Sequence, residues 1–201
     1  MERTVWRDLN GASLITSIGI VASLCAVFFL LRHDPRWALS GLALALATDR
    51  ADGQLARRWH QESRFGAQLD SLNDAVAFGL VPPAIAFYLT HGSIVVAVGG
   101  GIFVLGALWR LADFNEGGLL QHQGRLYFRG IPTTDVAAWF LVIGSLLAKT
   151  VPMVGEVWLV GLFLGIGGIG MTSGLPYQKN GVATRILLVL VPLAVLWLWI
   201  H

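Results

Sequence analysis

Four aspartates stand in stretches that otherwise read as apolar helix. Residues 48–57 run Thr-Asp-Arg-Ala-Asp-Gly-Gln-Leu-Ala-Arg, and residues 65–74 run Phe-Gly-Ala-Gln-Leu-Asp-Ser-Leu-Asn-Asp. An ionisable group inside a membrane span costs at least ~2.5–3.5 kcal/mol, so a group of them points to function. Asp49 and Asp52 are spaced i,i+3 and Asp70 and Asp74 i,i+4, which puts each pair on one helix face. Folding the two helices together about residue 61 leaves Asp52 and Asp70 each nine residues from the turn, with Asp49 and Asp74 twelve and thirteen away. The four carboxylates then meet at matching depths. Carboxylates that close cannot all ionise without cations, and hard oxygen ligands select Mg²⁺, Mn²⁺ or Ca²⁺. Two divalent ions would balance four negative charges, and a paired site suits in-line displacement at phosphorus. Arg57, one turn beyond Asp52 and Gly53, offers charge to a phosphate or diphosphate. Gly53, Ala56 and Gly66 are small enough to let backbones and a ligand approach. Simple pairing of the aspartates with Arg50, Arg57, Arg58 and Arg64 would not require the depths to match.

The elements that must position these groups are membrane helices. The chain is 55% hydrophobic and 13% charged, against about 25% charged in soluble domains, and its mean hydropathy is +0.67. Backbone groups in hydrocarbon must be satisfied within each segment, so the expected fold is an all-α integral membrane bundle. Seven apolar segments fall near 12–31, 37–58, 65–90, 93–114, 132–149, 153–172 and 182–200, each long enough for a span of ~20 residues. Residues 1–10 read as a short interfacial helix, and the first span as retained rather than cleaved. Residues 1–201 form a single domain. Pro82-Pro83 should kink the third span, and the glycine runs at 99–101 and 165–170 read as close helix packing. Of the 14 Lys and Arg residues, only Arg32, Arg36 and Lys149 fall on the side opposite the N-terminus. That bias puts the 58–64 and 115–131 loops, and the aspartates near them, on the cytoplasmic side. Cys25 is the only cysteine, which excludes an intrachain disulfide and a cysteine zinc cluster.

The spacing D-x2-D-G-x2-A-R-x8-G-x3-D-x3-D resembles the motif of the CDP-alcohol phosphatidyltransferase family. Asp49, Asp52, Gly53, Ala56, Arg57, Gly66, Asp70 and Asp74 occupy it without gap or substitution. The resemblance implies that Asp49, Asp52 and Asp70 bind two divalent cations, Mg²⁺ or Mn²⁺. It makes Asp74 a further ligand or the base acting on an acceptor alcohol. Gly53, Ala56, Arg57 and Gly66 would lie by the nucleotide diphosphate. It also implies a CDP-diacylglycerol donor, a prokaryotic cytoplasmic membrane and a homodimer, to which the glycine-rich later spans lend support. No nucleic-acid partner is expected.

Further stretches resemble the serine branch of that family: Gln61 to Gly79, Arg110-Leu111-Ala112-Asp113-Phe114-Asn115, Phe128-Arg129-Gly130-Ile131-Pro132 and Met171 to Tyr177. L-Serine is therefore the favoured acceptor, with Arg110, Arg125 and Arg129 as partners for its carboxylate. The chain departs from the branch pattern at Asp113 and Gly174, where arginine is usual, and at Thr134 and Asp135, which replace Pro and Ala. Asp113 would suit an ammonium or a polyol. Glycerol phosphate or inositol phosphate is the alternative acceptor within the family. An ion-coupled transporter is the alternative outside it, and would leave Gly53, Ala56 and Arg57 unexplained.

Overall fold

A computed structural model describes residues 9–60, 63–118, 120–122, 125–150, 153–178 and 181–200. The interfacial helix expected over 1–10 lies outside the described residues except for Leu9 and Asn10. Among the described residues seven helices follow one another: α1 (Gly11–Leu31), α2 (Pro35–Arg58), α3 (Arg64–Leu89), α4 (Ile94–Gly117), α5 (Thr133–Leu147), α6 (Val154–Met171) and α7 (Val182–Trp199). Five of them, α1, α3, α4, α6 and α7, are long and apolar enough to cross a membrane. α2 has the length but carries the site's charges. α5, at 15 residues, measures only about 22 Å at ~1.5 Å per residue, short of a ~30 Å hydrocarbon core.

Along α1 the packing is inside-out relative to a soluble protein. On α1 the buried positions are small or polar, among them Ser13, Thr16, Gly19, Ala22 and Ala26, while Leu14, Ile18, Val21, Leu24, Phe28 and Leu31 point outward. The outward set recurs every three or four residues, as one helix face in contact with lipid requires. α7 is apolar on both faces, with Val182, Ile186, Val189, Leu193 and Leu196 outside and Leu187, Val191, Ala194 and Leu198 inside. α1 packs along α2, α4 along α6 and α5 along α7. The innermost side chains include Phe78, Phe103, Phe140, Leu42 and Leu141 from α2 to α5, Leu164 and Met171 from α6, and Leu187 and Leu198 from α7.

α3 crosses the centre, where its middle touches α1, α2, α4 and α5. Its Arg64–Asp74 and Val81–Leu89 segments are joined by a π-helical stretch, Ala75–Leu80, in which the Val81 N–H reaches the Val76 carbonyl five residues back. Pro82 and Pro83 have no N–H to continue an ordinary ladder, so the expected disturbance takes the form of a wider turn. It begins at the residue after Asp74.

The bundle is all-helical as expected, and the loops expected at 115–131 and after α6 add one short element to it. They form a small antiparallel sheet of β1 (Leu120–His122), β2 (Arg125–Arg129) and β3 (Pro176–Gln178), in the order β1-β2-β3. Tyr127, Phe128 and Arg129 pair with Gln178, Tyr177 and Pro176. The chain turns out of β2 at Gly130, whose φ of +71° and close approach to the Met171 carbonyl leave no room for a Cβ.

The glycine runs serve contacts inside the chain. A Cβ on Gly99 would strike the backbone of Gly161, and one on Gly106 the backbone of Gly168, so α4 and α6 meet backbone to backbone. These glycines therefore lend no support to a dimer. Gly106→Ala is expected to destabilise the fold by ~1–3 kcal/mol through overpacking, measured as a lower Tm in detergent. Gly101→Ala, at a glycine with no neighbour within 4 Å, should leave Tm unchanged.

Candidate active site

The site is built on the α2–α3 hairpin. Asp34 accepts from the Trp37 N–H with Pro35 in the first turn, which starts α2. Ser63 accepts from the Gly66 N–H at 2.9 Å, which starts α3. A Cβ on Gly66 would sit 3.1 Å from that serine oxygen, so this motif glycine also keeps the cap tight.

One carboxylate oxygen from each of Asp49, Asp70 and Asp74 lies within 4.8 Å of the other two. Asp74 is 9% exposed, and its Oδ1 has no hydrogen-bond partner. Three hard oxygen donors that close, one of them buried and unpartnered, fit a divalent cation and fit no apolar ligand. The expectation that all four aspartates meet is met by three. Asp52 turns toward α1, where its Oδ2 accepts from the Thr16 hydroxyl at 2.6 Å.

Two cavities flank the carboxylates. The first, of about 270 Å³, is lined by the motif residues Asp52, Gly53, Ala56, Arg57, Gly66 and Asp70, and closed on the α1 side by Ser13 and Thr16. Nothing but the Arg57 guanidinium comes within 4 Å of the Cβ position at Gly53. The absent side chain there keeps space open and relieves no helix contact. The second cavity, of about 360 Å³, shares Asp70, Gly53 and Arg57 with the first and adds Asp49, Asp74 and Arg110. Asp135 and Thr184 form part of its wall.

Arg110 is buried, at 7% exposure. Its guanidinium lies 5.5 Å from the Phe114 ring centre and 5.3 Å from that of Phe128, an arrangement that holds a cation in place. Nη1 donates to the Thr133 hydroxyl at 3.3 Å, and Nε has no acceptor. Arg129 lies elsewhere: half-exposed, it pairs with Asp113 at 3.6 Å and lines a third cavity of about 290 Å³ with Trp109 and Met171. That pairing accounts for Asp113 and turns Arg129 away from the aspartates. The Arg125 backbone pairs with His122 in the sheet, and its side chain lies outside the described residues.

Sequence reasoning passed over Thr16 and Ser13. Their signal was a run of hydroxyls, Ser13, Thr16 and Ser17, at helical spacing in an apolar span. Tyr177 and Thr184 were also missed, because only the fold brings them to Asp135.

The model of the CDP-alcohol phosphatidyltransferase family matches residues 9–199, and the chain belongs to that family. It is similar to the CDP-diacylglycerol–serine O-phosphatidyltransferase of Mycobacterium tuberculosis (strain H37Rv), with 34% identity over 83% of this chain and 60% of that protein. The enzyme of the same name from Methanocaldococcus jannaschii is 31% identical over 82% of this chain and 72% of its own length. The chain thus spans about 60% of the length of its relatives from Mycobacterium bovis and Mycobacterium tuberculosis.

Crowded carboxylates repel when no cation separates them. Mg²⁺ or Mn²⁺ is therefore expected to raise the Tm of the detergent-purified protein. Asp70→Asn should raise Tm in chelator and shrink the shift on adding metal. An Asp70→Asn protein that keeps the full wild-type shift would contradict a cation at this cluster.

Proposed function

We propose that this chain transfers the phosphatidyl group of CDP-diacylglycerol to the hydroxyl of L-serine and releases CMP. The observation that carries the reading is the placement of the Asp49, Asp70 and Asp74 carboxylates in the second cavity, with Asp70 shared by the first. One wall is made of the motif residues, and the other holds a buried, aromatic-clamped arginine. The names of the relatives support serine.

In this reading the cytidine diphosphate occupies the first cavity, against Gly53, Ala56 and Gly66, with Arg57 beside its phosphates. Asp49, Asp52, Asp70 and Asp74 would hold two Mg²⁺ or Mn²⁺ ions, Asp52 being oriented by Thr16. When bound, these cations balance the carboxylates and withdraw charge from the diphosphate. The acceptor enters the second cavity with its carboxylate on Arg110. Asp74 lies deepest along α3, at the head of the π-turn, and takes the proton of the acceptor hydroxyl. The freed oxygen bonds to the phosphatidyl phosphorus as the bond from that phosphorus to the CMP oxygen breaks. A serine hydroxyl is too weakly acidic to react unaided near pH 7, and such base assistance is worth ~10²–10⁴-fold.

The reading extends to the setting. All seven helices would lie within the bilayer, α5 as a short one, with residues 1–10 at its surface. The excess of Lys and Arg near the aspartates supports a cytoplasmic active site in a prokaryotic membrane. A homodimer rests on the family resemblance. A monomeric mass by light scattering, after subtraction of detergent, would contradict it.

The deciding assay offers radiolabelled CDP-diacylglycerol to the purified protein with serine, glycerol phosphate, inositol phosphate and no acceptor. Lipid products are then separated by thin-layer chromatography. Phosphatidylserine is expected with Mg²⁺ or Mn²⁺ and should disappear in excess EDTA. Asp74→Asn should lower turnover ~10²–10⁴-fold while CDP-diacylglycerol still binds. Loss of donor binding in that variant would make Asp74 chiefly a metal ligand. Product from another alcohol alone would replace serine and leave the chemistry standing.

A further inference from the structure

Asp135 is the third residue of α5 and only 3% exposed. Its Oδ2 accepts two hydrogen bonds, from the Tyr177 hydroxyl and from the Thr184 hydroxyl, each at 2.7 Å. The donors come from β3 and α7, so three separate elements converge on one carboxylate. Burial, the hydrogen bond to Asp135 and its negative charge push the Tyr177 hydroxyl up to about 12, which keeps it a donor throughout the physiological range. No described residue donates to Oδ1, and no basic group among the described residues lies within ion-pair distance of the carboxylate.

A carboxylate in the first turn of a helix is favoured by the helix dipole, yet this side chain caps none of its own helix's N–H groups. As a staple between β3 and α7 the site would be served by a neutral oxygen. What remains is a carboxylate in the wall of a cavity, with two hydroxyl donors and no ion pair at contact distance among the described residues. The same wall carries Arg110, buried, clamped between two rings and with Nε unpartnered. Apart from the aspartates of the cluster and Arg50 and Arg57 of α2, the charged groups that line the cavity are the Arg110 guanidinium and the Asp135 carboxylate. A small molecule with both charges and a hydroxyl satisfies all three features.

We propose that Asp135 is a specificity residue that holds the ammonium of a zwitterionic amino alcohol whose carboxylate rests on Arg110. The proposal rests on the phosphatidyltransferase reading above and adds a residue and a selection rule to it. Acceptors lacking a cation leave Asp135 unpaired and are rejected. Tyr177 and Thr184 are positioning residues that fix which carboxylate oxygen faces the acceptor.

The test compares L-serine with 3-hydroxypropionate, which keeps serine's hydroxyl and carboxylate and lacks only the ammonium. The full-length protein in detergent, with CDP-diacylglycerol and Mn²⁺, is expected to favour serine in kcat/KM by ~10–100-fold or more, the worth of one charged hydrogen bond. Asp135→Asn should remove most of that preference by raising KM for serine, while use of 3-hydroxypropionate changes less than about threefold. Asp135→Glu should restore part of the preference. An equal loss with both acceptors, or a fall in kcat alone, would make Asp135 a structural staple and overturn the proposal. Should Asp135→Asn not fold, a wild-type preference near unity overturns it equally. A wild type inactive with serine but active with glycerol phosphate would overturn the serine reading itself, a result distinct from an active wild type whose preference survives Asp135→Asn.

Discussion

The mutual repulsion of the Asp49, Asp70 and Asp74 carboxylates, held within 4.8 Å of one another, is the constraint around which this bundle is organised. No apolar helix hairpin gains from such a cluster, and in a membrane interior its isolation is severe. The surrounding structure supplies what the cluster needs. Thr16 fixes Asp52 from α1, the π-turn opens α3 just beyond Asp74, and Gly53 leaves space where a side chain would stand. The site is a region of stored charge that bound cations complete.

Around it, the helices solve a separate problem. Large apolar side chains fill the core and also cover the outer faces, so the closest helix approaches must come from small residues. The backbone contacts at Gly99 and Gly161 and at Gly106 and Gly168 hold α4 against α6. That pair frames the far side of the bundle from α1 and α2 and ends at Arg110 and the sheet. Scaffold and site therefore use glycine for opposite purposes, one to exclude space and the other to keep it.

Much of this was legible in the chain. The apolar runs near 12–31 and 182–200 became Gly11–Leu31 and Val182–Trp199, because hydropathy and backbone satisfaction act residue by residue. The i,i+4 spacing of Asp70 and Asp74 carried over directly into two of the three meeting carboxylates, whereas Asp52, spaced i,i+3 from Asp49, turns to Thr16. What could not be read was tertiary. Nothing local says that Thr16 reaches Asp52, that Arg129 turns to Asp113, or that residues 176–178 pair with β2. Asp135 was visible as a departure from a family pattern, and its meaning came only with its partners on β3 and α7.

The central claim is that the carboxylate cluster is a divalent-cation site and not a set of structural ion pairs. Titration of Mn²⁺ into the metal-free, detergent-purified protein, followed by electron paramagnetic resonance, tests it most directly. The account predicts two bound ions per chain with a spectrum broadened by their proximity, and loss of that signal when Asp70 and Asp74 are both changed to Asn. Free-ion signal throughout the titration, or unchanged binding in the double variant, would contradict it.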